Sequence, residues 1–191
     1  MAQALKRELV EICKLLYARG LAKAWGGNVS ARIKGANQII ITPRHISLLE
    51  VSLDNLVVTT LEGVVIEEGG DNPSTELPMH CAIYNARSDI EAIVHVHSLY
   101  STIFAILEKP IELLTAESQI TLGELPLVEY AEPGSKNLAE LVAGRLKECK
   151  SCILARHGIV AISSKNLKDA YYLTELVEET AALNFFIKLI R

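Results

Sequence analysis

The sequence predicts an α/β fold: one mainly antiparallel sheet with helices on both faces. Three observations predict it. Short β-branched runs joined by tight turns read as hairpins early and late in the chain, and only antiparallel strands can be joined so briefly. Segments with apolar residues at helical spacing lie between these hairpins and beyond them. Half of the 191 residues are hydrophobic, which is enough for one sizeable core, so residues 1–191 are expected to form a single domain. No internal repeat, low-complexity tract or linker divides them.

Leu5, Leu9, Ile12 and Leu16 recur at helical spacing and Gly20 offers a C-cap, so residues 3–19 read as an amphipathic helix. Trp25-Gly26-Gly27-Asn28 then interrupts regular structure. Strands over 29–33 and 38–42 follow, turned by Gly35-Ala36-Asn37, and Thr42-Pro43-Arg44-His45 is a loop. A second hairpin joins 56–59 to 64–67. Residues 68–73 are polar and Gly-rich, hence a loop. Ser74 or Thr75 can cap a helix from Glu76 to about Ala86, where Pro78 is tolerated in the first turn. Residues 92–98 form a strand rich in β-branched side chains, and a helix near 99–107 stops before Pro110. After a strand over 127–131, Ser135 caps a helix through Leu138, Leu141, Val142 and Leu146. Residues 152–155 and 159–162 make a hairpin turned by Arg156-His157-Gly158, and a last helix runs from about Asn166 onward.

Composition narrows the function classes. A net charge of −4 and a pI near 5.8 leave no basic footprint for nucleic acid. No apolar run approaches the length of a membrane span, and residues 1–7 show no signal-peptide pattern, so a cytoplasmic protein without membrane contact is expected. The mean hydropathy of +0.25 is rich for a free monomer, so part of the apolar surface is expected between subunits. Four cysteines do not suggest a disulfide framework in so long a chain. Cys149 and Cys152 form a C-x-x-C that follows a helix and precedes a strand, the reverse of a redox site, and they read as structural.

The chemistry lies elsewhere. Side chains alternate along a strand, so His95 and His97 project from one face with Val96 on the other. Two imidazoles at that spacing can hold one first-row metal ion, and His157, beside Gly158 in a turn, is the natural third ligand of a catalytic zinc. Glu76 stands at the start of a helix, where a lone carboxylate ordinarily complements the helix dipole. Together the three imidazoles and this carboxylate form a rarer combination. The Gly27-Asn28 loop exposes backbone N–H groups, and Ser74 and Thr75 set hydroxyls at a helix N-terminus, both suited to an anion.

Four motifs, in order, carry a resemblance: Gly27-Asn28-Val29-Ser30-Ala31-Arg32; Pro73-Ser74-Thr75-Glu76 leading to His80; Val94-His95-Val96-His97; and Ala155-Arg156-His157-Gly158. With them the chain resembles the class II aldolase/adducin family, most of all its L-fuculose-phosphate aldolases. The resemblance implies a three-layer α/β/α sandwich and a homotetramer with active sites at subunit interfaces. It implies one Zn2+ per subunit, or another divalent metal, held by His95, His97 and His157. Glu76 would bind that metal in the empty site and move a proton when substrate arrives. Gly27, Asn28, Ser74 and Thr75 fall where the family holds a substrate phosphate. The implied reaction is reversible cleavage of a ketose 1-phosphate to dihydroxyacetone phosphate and a small aldehyde such as lactaldehyde, through a metal-stabilised enediolate.

The chain also departs from the family. Where the aldolases carry Thr-Pro-Thr/Ser-Gly, Arg44 and His45 replace the small phosphate-contacting pair, and Arg44 would bind phosphate in a different manner. The aldolase tyrosine that serves the aldehyde end falls near Thr115, and Glu117 lies close to that region. Three alternatives therefore stand beside the aldolase reading: an L-ribulose-5-phosphate 4-epimerase, a methylthioribulose-1-phosphate dehydratase using a base near Glu117, and a non-enzymatic adducin-like structural module.

Overall fold

The computed structural model describes residues 2–67 and 72–190. Helix α1 (Ala2–Ala18) buries Leu9, Ile12, Cys13 and Leu16 along one stripe, as their spacing predicts. Leu21 N–H reaches the Leu16 carbonyl at 2.9 Å and Gly20 N–H the Tyr17 carbonyl at 2.9 Å, a Schellman closure. Strands β1 (Asn28–Arg32), β2 (Gln38–Ile41), β3 (Val57–Thr60) and β4 (Val65–Glu67) follow as a meander. Helix α2 (Leu77–Ala86) leads to the central strand β5 (Ala92–Val96), then α3 (Leu99–Ile106) and α4 (Ala116–Leu122). The chain finishes with β6 (Leu127–Val128), α5 (Lys136–Arg145), the hairpin β7 (Ser151–Leu154) and β8 (Gly158–Ser163), and α6 (Leu167–Ile190).

All eight strands join one sheet in the order β4-β3-β2-β1-β5-β8-β7-β6. Every neighbouring pair is antiparallel except β6 and β7, so the sheet is mixed but mainly antiparallel, as expected. Alternation along the strands divides the apolar side chains between two faces. Val29, Ala31, Ala92, Val94 and Val96 pack with residues of α1, α3, α4 and α6. Ile39, Ile41, Ile93, Val160 and Ile162 pack with α2 and α5. Helices thus cover both faces, and His95, two residues from Ile93, belongs to the α2/α5 side.

The structure differs from the sequence reading at several boundaries. Helix α4 was not predicted: only Ser118 and Leu122 of its seven residues are buried, so it has no apolar stripe to read. A capping box between Thr115 and Ser118 starts it instead. The strand expected over 127–131 is two residues long, because β6 is an edge strand paired to β7 alone. Helix α2 begins at Leu77, with Glu76 as its N-cap residue rather than inside the first turn. The loop expected over 68–73 lies, for residues 68–71, outside the described residues. Cys149 and Cys152 are free thiols buried in the α2/α5 core, in keeping with a structural role. No described helix is long and apolar enough to cross a membrane.

Candidate metal and anion site

Three chain reversals meet at the end of β1 and β5. Val29 N–H donates to Thr42 Oγ1 at 3.2 Å, and Thr42 N–H donates to the Val29 carbonyl at 3.0 Å. Ser74 N–H donates to the Thr42 carbonyl at 3.1 Å, Arg44 N–H to the Asn72 carbonyl at 3.0 Å, and Pro43 bridges Pro73. The loop after β2 is therefore fastened both to β1 and to the entry of α2. Gly27, at φ +96, lets the β1 loop pass close to β5: a Cβ there would lie 2.8 Å from the His95 carbonyl oxygen. Together these segments bound a cavity of about 300 Å3.

His95 comes from the middle of the sheet, His97 from just past the end of β5, and His157 from the turn between β7 and β8. Arg156 holds that turn, with φ +57, its N–H on the Ala105 carbonyl at 2.9 Å and its guanidinium on Glu108 at 2.6 Å. Gly158 completes it, since a Cβ there would collide with the Val96 carbonyl oxygen and the His97 ring. The three imidazole centroids stand 4.7, 4.8 and 4.9 Å apart. One ligand atom from each lies within 4.8 Å of the others, a group that could hold a metal ion.

The electrostatics suit that task. His95 is fully buried and its Nδ1 lies 2.8 Å from the Ile159 carbonyl, which accepts a proton only. The proton of the neutral ring is thereby fixed on Nδ1, and the Nε2 lone pair faces His97 Nε2 at 2.9 Å. Burial pushes His95 well below the usual imidazole range, helped by its two histidine neighbours. His157 is lowered to about 4, mainly by burial and then by His97. Desolvation of its ring also lowers His97, although its outer edge is open to solvent. Three neutral imidazoles with converging lone pairs are the donor set a divalent first-row ion takes, and the buried His157 Nδ1 has no partner among the described residues. The residues present fit such an ion.

Glu76 lies beside this group rather than within it, with Oε1 4.0 Å from His157 Nε2. It is buried, its Oε2 has no partner among the described residues, and desolvation raises its carboxyl above the usual range against a bond from the Gly134 N–H. Ser74 Oγ accepts from Glu76 N–H at 3.2 Å and so fixes the backbone that carries the carboxylate, instead of capping α2. Gly27, Asn28, Arg44, His45, Ser74, Thr75 and Glu76 all line the cavity with the three histidines. Arg32, although part of the first motif, does not: it donates to the Ile90 and Tyr84 carbonyls, each at 2.8 Å, and braces the end of α2.

Thr115 and Glu117 are not brought to the site. Glu117 is exposed in the first turn of α4, and neither residue lines the cavity of the single chain. The sequence reading missed Trp25 and Pro133, which complete the wall. Trp25 carried a signal, an aromatic beside the Gly-Gly-Asn loop. Pro133 carried none, because only the fold brings the approach to α5 against α2.

Comparison with known proteins agrees with this geometry. Residues 7–185 match the family model described as the Class II Aldolase and Adducin N-terminal domain. The chain is 38% identical over 180 residues to an L-fuculose phosphate aldolase of Methanococcus maripaludis, covering 94% of this chain and 96% of that protein. It is 35% identical over 190 residues to a 3-oxo-tetronate 4-phosphate decarboxylase of Haemophilus influenzae, covering 97% and 89%. Among solved structures, an L-fuculose 1-phosphate aldolase superposes with a TM-score of 0.89 at 33% identity, covering 98% of this chain and 87% of the other.

Proposed function

Because the chain belongs to the class II aldolase and adducin family, we propose that it is a metal-dependent sugar-phosphate aldolase. In this reading it cleaves a ketose 1-phosphate, as L-fuculose 1-phosphate, reversibly to dihydroxyacetone phosphate and a small aldehyde such as lactaldehyde. The observation that carries the reading is the trio of neutral imidazoles beside a buried carboxylate whose Oε2 has no partner among the described residues. The whole chain, as a single domain, is one catalytic unit.

His95, His97 and His157 would hold one Zn2+ per subunit, or a neighbouring divalent ion. Such an ion supplies a Lewis acid that polarises the donor carbonyl and offsets the negative charge developing beside it. Glu76 moves the proton. In the condensation direction its carboxylate takes a proton from the α-carbon of dihydroxyacetone phosphate while the new alkoxide takes one from solvent. In cleavage the hydroxyl proton leaves to solvent as the carbon–carbon bond breaks, and protonated Glu76 returns a proton to the same carbon. A carboxylate kept from water is a stronger base than one in water, which is the sense of the raised Glu76 value. Gly27, Asn28, Ser74 and Thr75 bind the phosphate through N–H and hydroxyl donors, Arg44 adds charge at the rim, and His45 lies beside it.

A homotetramer with active sites between subunits belongs to the same reading. Trp25 supports it: this side chain walls the cavity yet is 72% exposed in the isolated chain. A cytoplasmic location goes with this metabolic role.

A second reading is decarboxylation of a phosphorylated 3-oxo sugar acid. It is favoured by the similarity to the decarboxylase and by Arg44, which offers a substrate carboxylate a cation at the cavity rim. Loss of CO2 from such an acid leaves negative charge at the same position relative to the carbonyl. The test is product analysis of the metal-loaded protein. Dihydroxyacetone phosphate and free aldehyde from L-fuculose 1-phosphate support the aldolase, CO2 release from a 3-oxo-tetronate 4-phosphate supports the decarboxylase, and neither product refutes both.

A further inference from the structure

Behind the anion side of the cavity runs a buried hydrogen-bonded chain that the proposed chemistry does not use. His80 Nε2 lies 2.6 Å from Asn28 Oδ1, His80 Nδ1 lies 2.6 Å from Ser30 Oγ, and Ser30 Oγ lies 3.0 Å from the Tyr84 hydroxyl. His80 and Ser30 are fully buried, and Tyr84 nearly so. Of the four, only Asn28 reaches the cavity. Asn28 also pairs directly with His95 across β1 and β5, so its carboxamide sits next to the imidazole group.

Donor counting gives the chain a direction. Burial lowers His80 to about 3, so the ring is neutral and carries one N–H and one lone pair. In one direction Tyr84 O–H donates to Ser30, Ser30 O–H to His80 Nδ1, and His80 Nε2–H to Asn28 Oδ1. Every proton then has an acceptor. In the other direction the Asn28 amide turns over and donates to Nε2, Nδ1–H donates to Ser30, and Ser30 donates to Tyr84. The Tyr84 O–H is then stranded, since Ser30 is the hydroxyl's one partner among the described residues. A buried orphan donor costs about 1–3 kcal/mol, which is enough to select the first direction.

We infer that His80, locked by Ser30 and Tyr84, is a positioning residue that consumes the Asn28 carbonyl oxygen and aims the Asn28 NH2 group into the cavity at the anionic group of the substrate. This rests on the phosphate-binding role proposed for Asn28. Without the relay the amide turns over freely and presents an acceptor oxygen, which repels an anion, for part of the time.

The inference is tested on the metal-loaded protein with inorganic phosphate as the probe, so that turnover is not needed. Phosphate affinity is measured for wild type, His80→Gln, Asn28→Ala and the double variant. A glutamine can face Asn28 with either end of its amide, so it keeps a polar neighbour but loses the directional lock. Each single substitution is expected to weaken phosphate about tenfold, as for loss of one hydrogen bond to a charged group, with metal content unchanged. The double variant is expected to bind no more weakly than Asn28→Ala alone, because His80 acts through Asn28. A nitrogen-15 spectrum of the histidines is expected to show His80 protonated at Nε2. Additive losses, unchanged affinity in His80→Gln, a wild type that does not bind phosphate, or an Nδ1-protonated ring would each overturn the inference. A wild type that binds phosphate through this relay but cleaves no ketose phosphate would instead refute the proposed activity alone.

Discussion

Glu76 and His95 show how burial sets chemistry at the scale of one residue. Each is buried, and each is thereby shifted away from its charged form, the carboxyl upward and the imidazole downward. Substituting Glu76→Gln is expected to keep metal binding while lowering turnover at least a hundredfold, the scale of general acid–base catalysis; hydrogen exchange at the donor carbon checks it. Acid sensitivity follows from the same burial. His80 and His157 have folded values of about 3 and 4, below the ordinary 6.5, so the unfolded chain binds protons that the folded chain refuses. The metal-free protein is therefore expected to hold full stability above pH 6.5. It loses up to about 1.4 kcal/mol per pH unit and per histidine as pH falls towards 4. Denaturation midpoints across that range measure it. At this scale the cluster of three histidines with Glu76 beside it was legible, because residue type and strand alternation carry its chemistry. The role of His80 was not, since its partners Asn28 and Ser30 lie on β1, about fifty residues away in sequence.

Elements put these residues in place through their ends more than through their middles. Helix α3 follows His97 directly, yet its N-cap residue Ser98 makes no side-chain cap. Glu178 from α6 caps it instead, accepting from Tyr100 N–H at 2.8 Å and Ser101 N–H at 2.9 Å. Replacing Glu178 with alanine is expected to cost about 1–3 kcal/mol by removing these charge-assisted bonds, read as a lower thermal midpoint, with glutamine costing less. Gly158→Ala is expected to act on the metal site as well as on stability, because the new methyl meets the Val96 carbonyl and the His97 ring. Metal content would fall in that variant even under conditions where it remains folded. Helices α1 and α5 were legible from periodicity and caps, and the three hairpins from their turns. Helix α4 and the cap of α3 were not, because the first has almost no buried face and the second is made by a residue 77 or more positions away.

Across the whole molecule, the decisive feature is that β5 lies between β1 and β8. This placement brings the Gly27-Asn28 loop and the His157 turn to the two sides of His95 and His97. Local patterning predicted the strands and the mainly antiparallel sheet. It could not predict which distant strands pair, because the alternation of β1 fits several neighbours equally well. The proposed homotetramer, which the exposed Trp25 beside the cavity supports, predicts an assembly with four times the 20.9 kDa chain mass in sedimentation equilibrium. A monomer at working concentration would contradict the shared-site reading. The most direct measurement of the central claim is the metal content of the purified protein and of its His95→Ala, His97→Ala and His157→Ala variants. One divalent ion per chain in the parent, with loss of that ion in all three folded variants, is the predicted result. Full metal content in any one of them would contradict a single ion shared by the three imidazoles.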